Sequence, residues 1–588
     1  MNSGLFKWFS KIHIIFILFL SIIILSGSFY AQDLEKVAGD WQGKLTVGEQ
    51  KLTIIFHIDY ANRQLTATLD SPDQGAYAIK VDNVTLQGRD LMMDIKSISG
   101  SFGGEINEKA DEITGTWKQG TMSLPLNVSK QNNKIIAPED IVFKEIWQGK
   151  LQVSGIELRL VIKIYNKEDG SLGAYLDSPD QGVKNINVSS VTKNDKELLL
   201  DIESIMGKYK GEYNSEAKKI IGTWSKRGAE YPLTLEKTDK VEELKRPQNP
   251  TKPYPYYEEE VTFRNEEADI SLAGTFTFPK NGGPFPAVVL VSGSGAQNRD
   301  EEIFEHKPFL IISDYLTRNG IAVLRYDDRG TAKSQGDFSS ATTQDFMIDA
   351  ISSVNYLSSR KEVDKSKIGM MGHSEGGLIA PMAAANCDEL DFIIMLAGPG
   401  LPGRDILIMQ NELISRANGE SEDKIKEELQ FNTKLYDLIY SDKDSPDLRE
   451  KILQLINQNI EELPDSEKVN PMFSKENIER QVNIITSPWF KNFIVYDPRP
   501  TLENITIPVL ALIGENDLQV PPKENIVEIR KALEKGGNKN FKIMELNKLN
   551  HLFQTSETGS VGEYGKLEET FSPEALAIIK DWILEITK

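Results

Sequence analysis

Ser374 stands in Gly372-His373-Ser374-Glu375-Gly376, directly after the apolar run Ile368 to Met371 and directly before Leu378-Ile379-Ala380. This G-x-S-x-G spacing, between a strand and a helix, fits a nucleophile elbow that lifts a serine hydroxyl clear of a sheet. A serine on so tight a turn has strained backbone angles, and the glycines two positions either side let the flanking chains approach. The Glu375 backbone N–H, at the start of the next helix, can then face an oxyanion. The pentapeptide alone also fits an ordinary surface turn, because Gly and Ser are common, so the surrounding chain must decide.

In such a fold the nucleophile is followed by an acid and then a histidine. Pro508 to Gly514 reads as a buried parallel strand, and Asp517 lies three residues beyond its closing glycine, where sites form in open α/β sheets. Asp517 is the first candidate for the orienting acid and Glu515 the second. Phe541 to Leu546 reads as a further short strand, and His551 in the loop after it is the candidate general base. Of the five histidines, His13 is in the leader, His57 in an alternating strand far upstream and His373 in the elbow; His306 competes but precedes the serine. A serine hydroxyl is a weak nucleophile at its free pKa. His551 would take its proton during attack on a carbonyl and return it to the leaving group, with Asp517 fixing the tautomer. A second oxyanion donor is expected at Gly295 or Ala296, in the loop Ser292 to Asp300 after the strand Ala287 to Val291. That loop lacks the spacing of a nucleotide-binding P-loop, and the chemistry requires no cofactor and no metal.

On these residues, 258–588 resemble the α/β-hydrolases, and among them the bacterial esterases and serine aminopeptidase-like hydrolases. The matching positions are Gly293-Ser294-Gly295 with Asn298-Arg299-Asp300, Arg325-Tyr326-Asp327-Asp328-Arg329-Gly330, the elbow, Gly514 with Asp517, and Asn550-His551. The resemblance implies a triad of Ser374, Asp517 and His551. One departure is Ala332 in Thr331-Ala332-Lys333-Ser334, where such hydrolases usually carry glycine, so that turn's backbone is the feature to check.

The elements that must position these groups alternate as a doubly wound, mostly parallel sheet requires. Helices are expected at Pro308 to Arg318 and about Thr343 to Ser358, and strands at Ile321 to Arg325 and Phe392 to Ala397. From about 401 to 500 the alternation gives way to charged, helically periodic sequence, read as a cap over the site. Its Met409, Phe431, Trp489 and Phe490 fit either a substrate pocket or simple packing of the cap onto the sheet.

Upstream the chain repeats itself. Trp41-Gln42-Gly43-Lys44-Leu45 returns as Trp147-Gln148-Gly149-Lys150-Leu151, offset by 106, and Leu69-Asp70-Ser71-Pro72-Asp73-Gln74-Gly75 returns at 176–182, offset by 107. This period fits a duplicated small domain. Alternating short segments predict two all-β, barrel-like units at 32–135 and 136–240. The Ser-Pro-Asp-Gln-Gly segment reads as turn chemistry in preference to a ligand loop, and neither copy carries a nucleophile or metal-ligand constellation. Residues 241–257, rich in Pro and Tyr, predict an extended linker. The expected organisation is thus multidomain, with two repeated β units before an α/β-hydrolase domain at 258–588.

At the N-terminus, Lys7 and Lys11 precede the 14-residue run Ile12 to Leu25 and a small-residue stretch, the pattern of a signal peptide over 1–31. Cleavage after Ala31 or after Ser28 fits, as does a retained anchor. Cys387 is the only cysteine, so intramolecular disulfides and a leader lipid site are excluded. A bacterial envelope protein, periplasmic or extracellular, is expected. The net charge of −21 opposes nonspecific nucleic-acid binding. Three functions follow: hydrolysis of a small ester or acyl substrate, peptidase or amidase chemistry on the same triad, or binding of a polymer or protein by the repeats with an inactive hydrolase fold.

Overall fold

The computed structural model describes residues 36–588 except 48–49, 62–63, 75, 99, 120–121, 132–140, 154–155, 168, 182, 227–228, 241–244, 465–467, 469–472 and 474. The expected leader therefore lies outside the described residues.

Two antiparallel sheets of nine strands each come first. One runs from Gly39–Val47 to Met122–Lys130 and the other from Glu145–Val153 to Ala229–Thr238. In both, the first strand pairs with the last, Trp41 opposite Lys130 and Trp147 opposite Lys237. The two edge strands of the first sheet, Ala76–Lys80 and Asn83–Gln87, are consecutive in sequence. Between them, the Val81 N–H donates to Ala67 O (3.1 Å) and the Asp82 N–H to Asp94 O (2.8 Å), so the chain bridges both edges and the sheet curls. Curling leaves little unpaired edge for another chain to extend. Alternation puts Trp41, Phe56, Phe102 and Trp117 inside one unit and Trp147, Leu200, Tyr209 and Trp224 inside the other, all at most 3 % exposed.

The repeated Asp-Ser-Pro-Asp-Gln segment closes turns, as its residue types predict. Asp70 accepts the Ala78 N–H (2.7 Å) and Asp177 the Asn185 N–H (2.7 Å). Asp73 accepts the Thr53 N–H and hydroxyl (2.5 and 2.6 Å), while Asp180 accepts the Arg159 N–H (2.6 Å) and its guanidinium. His57 bridges Asp40 and Asp70 (2.7 and 3.0 Å), where the second unit has Lys163 beside Asp177 (2.9 Å).

The C-terminal sheet has eight strands: β1 (Tyr256–Asn265), β2 (Ile270–Pro279), β3 (Phe285–Val291), β4 (Ala322–Tyr326), β5 (Val363–His373), β6 (Phe392–Leu396), β7 (Val509–Gly514) and β8 (Phe541–Leu546). Their spatial order is β1-β2-β4-β3-β5-β6-β7-β8, parallel from β4 onward, with β1 and β2 antiparallel. Successive residues of β3 serve opposite layers, as strand geometry demands. Ala287, Val289 and Val291 face the layer that holds α2 (Thr343–Ser359), α3 (Gly376–Ala384) and the helix Pro522–Lys535. Val288 and Leu290 face α1 (Pro308–Arg318) and the terminal helix Pro573–Ile586. Between β6 and β7, helices α4 (Gly403–Ala417), α5 (Glu422–Asp442), α6 (Leu448–Glu462), α7 (Lys475–Ile485) and α8 (Pro488–Val495) form the expected helical insertion. Phe431 and Phe490 pack inside it, while Met409 and Trp489 reach the sheet's own core.

The linker departs from its expected form. Residues 245–257 do not span open solvent: the Arg246 guanidinium donates to the carbonyls of Leu567, Phe304 and Gly565 (3.0, 2.8 and 2.9 Å), and the Gln248 side chain exchanges hydrogen bonds with Phe571 and Thr570. Tyr256 and Tyr257 already belong to β1. Prolines make the segment extended, but these side chains satisfy carbonyls left over by the C-terminal loops and dock it.

Candidate active site

The elbow has the backbone its sequence demands. Ser374 sits at φ +54 between the end of β5 and the start of α3, a left-handed conformation that costs about 1–3 kcal/mol in a non-glycine residue. Its N–H donates to Leu396 O on the neighbouring strand (2.8 Å). A Cβ on Gly372 would fall inside the Gly376 carbonyl, so the turn closes only because the first glycine has no side chain. Glu375 follows as the helix cap residue, and its N–H takes no partner among the described residues.

Asp517 and His551 meet as expected: His551 Nδ1 donates to Asp517 Oδ2 at 2.8 Å, and both side chains are at most 4 % exposed. Asp517 Oδ1 also accepts the N–H groups of Gln519 and Val520 (both 2.8 Å), which orients the carboxylate. Gly514 lets the two loops approach, because a Cβ there would enter the Leu549 carbonyl. Asn550 shapes the histidine loop by accepting the N–H groups of Leu552 and Gln554 (3.0 and 2.9 Å). Glu515 accepts the Lys548 N–H instead of reaching His551. His306 is a buried structural histidine, bonded to Thr570 and the Tyr564 carbonyl, and burial drives its pKa down to about 4.

His373 carries the elbow onto the histidine loop, its Nε2 donating to His551 O at 2.9 Å while the two rings lie 4.9 Å apart. The β3 loop meets the elbow at Gly293, two to three residues before the expected Gly295 and Ala296; a Cβ on Gly293 would stand 3.1 Å from Ser374 Cβ. The Gly293 N–H is already given to Glu301 Oε1 (2.8 Å). Ser294 comes next, and its N–H has no partner among the described residues. Gly295 follows at φ +98, and a Cβ there would meet nothing nearer than Gln297 Nε2 at 3.8 Å.

The two motifs that flank this loop lace together. Arg299 binds Asp327 bidentately (3.0 and 2.7 Å), Arg325 binds Asp300, and Asp328 accepts the Ser292 hydroxyl (2.7 Å) and the Gln297 N–H (2.9 Å). Burial pushes the Asp328 carboxyl up to about 8. The turn at Ala332 keeps the left-handed backbone that glycine would adopt freely, at φ +47. Glu375 turns its side chain toward the helical insertion, accepting from Thr343 Oγ1 (2.7 Å) and Trp489 Nε1 (2.8 Å), and burial raises its pKa.

Glu301 and Gly293 were not among the sequence candidates. The signal for Glu301 was an acidic residue directly after Asn298-Arg299-Asp300, and for Gly293 its place in the Gly293-Ser294-Gly295 motif.

Residues 269–544 match the model of the X-Pro dipeptidyl-peptidase (S15) family. The chain is 30% identical over 295 residues to Esterase EstD of Thermotoga maritima, covering 50% of this chain and 61% of that protein. It is 28% identical over 166 residues to the putative hydrolase YtaP of Bacillus subtilis, covering 23% of this chain and 56% of that protein. It thus spans less than two thirds of either relative. A solved esterase of Pyrococcus furiosus aligns with 56% of this chain and 91% of its own at 14% identity and a TM-score of 0.33. In strand order, strained elbow and sequence, the C-terminal part of this chain is thus similar to esterase-like α/β-hydrolases.

Proposed function

We propose that the protein is an exported serine hydrolase that cleaves carboxylic esters through an acyl-serine intermediate. The observation that carries this is the His551 Nδ1 to Asp517 Oδ2 bond of 2.8 Å, in a loop tied through His373 to the strained Ser374. Nδ1–H donation to a carboxylate leaves Nε2 as the proton acceptor. Nε2 takes the Ser374 proton as Oγ bonds to the carbonyl carbon, and the carbonyl oxygen becomes an oxyanion. The N–H of Glu375 and one from the Gly293-Ser294 turn would receive it; each such donor is worth about 10²–10³ in rate. Collapse breaks the ester C–O bond, and His551 gives its proton to the departing alkoxide. Water, deprotonated by His551, then frees the acid. Likeness to a named esterase supports the ester over the amide. Export rests on the Lys7 to Ala31 pattern, and a polymer or protein is the ligand proposed for the β units.

The match of 269–544 to a peptidase family favours a second reading, cleavage of a peptide or amide by the same groups. Turnover of p-nitrophenyl esters of increasing chain length beside aminoacyl and peptidyl anilides separates the two. The ester reading expects ester turnover that is lost in Ser374→Ala, with anilides slower; preferential anilide cleavage would overturn it.

A further inference from the structure

Building on that serine-hydrolase reading, we propose that His373 and Glu301 form a positioning pair that fixes the His551 main chain and the Gly293 loop on the elbow. A main-chain carbonyl only accepts, so His373 Nε2 carries the proton it shares with His551 O at 2.9 Å. Nδ1 lies 2.9 Å from Glu301 Oε1, the same oxygen that accepts the Gly293 N–H at 2.8 Å. Gly293 in turn packs on the nucleophile, since a Cβ there would stand 3.1 Å from Ser374 Cβ and 3.4 Å from Glu301 Oε1. The loop after β3, the last residue of β5 and the loop after β8 therefore meet at one imidazole.

The surroundings specify this arrangement. The His373 and Glu301 side chains are 8 % and 6 % exposed, so water competes little for their bonds. Burial works against a charge on His373, but the Glu301 carboxylate and its hydrogen bond outweigh it and hold the pKa above the ordinary histidine value. Glu301 itself takes φ +51, a backbone state that persists where neighbours over-determine it, here with its N–H on Asn298 O (2.8 Å). Both ring nitrogens of His373 are committed, so it acts through His551 and Gly293 and not on the substrate.

The test uses the full chain, with p-nitrophenyl acetate kinetics and the rate of fluorophosphonate labelling measured beside Tm. Glu301→Ala is expected to lower kcat and the labelling rate about 10- to 100-fold, with KM changed by less than about threefold. Glu301→Gln should recover most of that loss. Its amide oxygen, in the Oε1 place that both contacts share, can keep accepting the Gly293 N–H and accept the Nδ1–H of a protonated His373. If Glu301→Ala does not fold, His373→Gln, which keeps one donor, takes its place in the comparison. Unchanged kcat, a rise in KM alone, or a Gln variant as impaired as the Ala variant would overturn the positioning role. A wild-type chain that neither labels nor turns over esters would instead remove the hydrolase reading on which the pair's role rests.

Discussion

Buried carboxylates in the two β units take main-chain N–H groups nearby in the chain: Asp70 binds Ala78, eight residues on, Asp73 binds Thr53, 20 back, and Asp180 binds Arg159, 21 back, while Asp73 also accepts the Asn187 side chain of the other unit, 114 residues on. In the hydrolase domain some bonds are nearly as local, Arg299 to Asp327 spanning 28 residues and His551 to Asp517 34, but others reach much further. Glu301 to His373 spans 72 residues, Asn265 to Asp349 spans 84, and Trp489 to Glu375 spans 114. Local pairs close turns, and any small β fold needs them. Long-range pairs such as Glu301 to His373 tie together segments that come from separate strand ends, as a site requires. The duplicated segments look alike because they close the same turns, whereas the long-range pairs of the hydrolase domain tie its strand-end loops together.

The largest expected effect falls on the triad. His551→Ala and Asp517→Asn should each lower kcat on an ester about 10³–10⁴-fold with little change in Tm, read by steady-state kinetics and thermal melting. A tenfold effect or less would return these residues to the same structural class as the β-unit pairs. Next comes Gly293→Ala. A methyl 3.1 Å from Ser374 Cβ must displace the loop or the nucleophile, so kcat should fall about 10- to 100-fold while KM holds.

The β units are tested by pH. Hydrogen bonding to Asp70, with Asp40 adding to it, raises His57 to about 9 against the partial burial that opposes its charge. A raised pKa stabilises fully below the ordinary value near 6.5, and the contribution fades as pH climbs through about 9. The side chain is 23% exposed, so solvent screening trims the effect to about 2 kcal/mol. Urea unfolding at pH 7 and pH 9.5 should show this loss in wild type and not in His57→Gln. The second unit has no histidine in the equivalent place. The smallest effect is Ala332→Gly. Relieving a non-glycine residue at φ +47 should raise stability by about 0.5–1 kcal/mol without altering kcat.

Spacing and residue type revealed the elbow, the strand-end Asp517 and the loop His551, because each depends on local pattern: a G-x-S-x-G turn, an apolar run closed by glycine, a histidine past the last strand. The helices Pro308–Arg318 and Thr343–Ser359 followed from periodicity in the same way. Glu301 escaped because its loop has no period to read; Glu301, Phe304 and Glu305 all take positive φ, and their partners lie far along the chain. The docking of Arg246 and Gln248 was illegible for a related reason, since their acceptors are main-chain carbonyls, which sequence does not distinguish. Alternation announced the β units, whereas the pairing of first strand with last, which curls each sheet, is a property of the whole.

The most direct measurement is fluorophosphonate labelling of the purified full-length chain and of Ser374→Ala, with the modified residue located by mass spectrometry. Stoichiometric labelling at Ser374, absent from the variant, is the predicted result. Equal labelling of both proteins, or none of the folded wild type, would contradict the account.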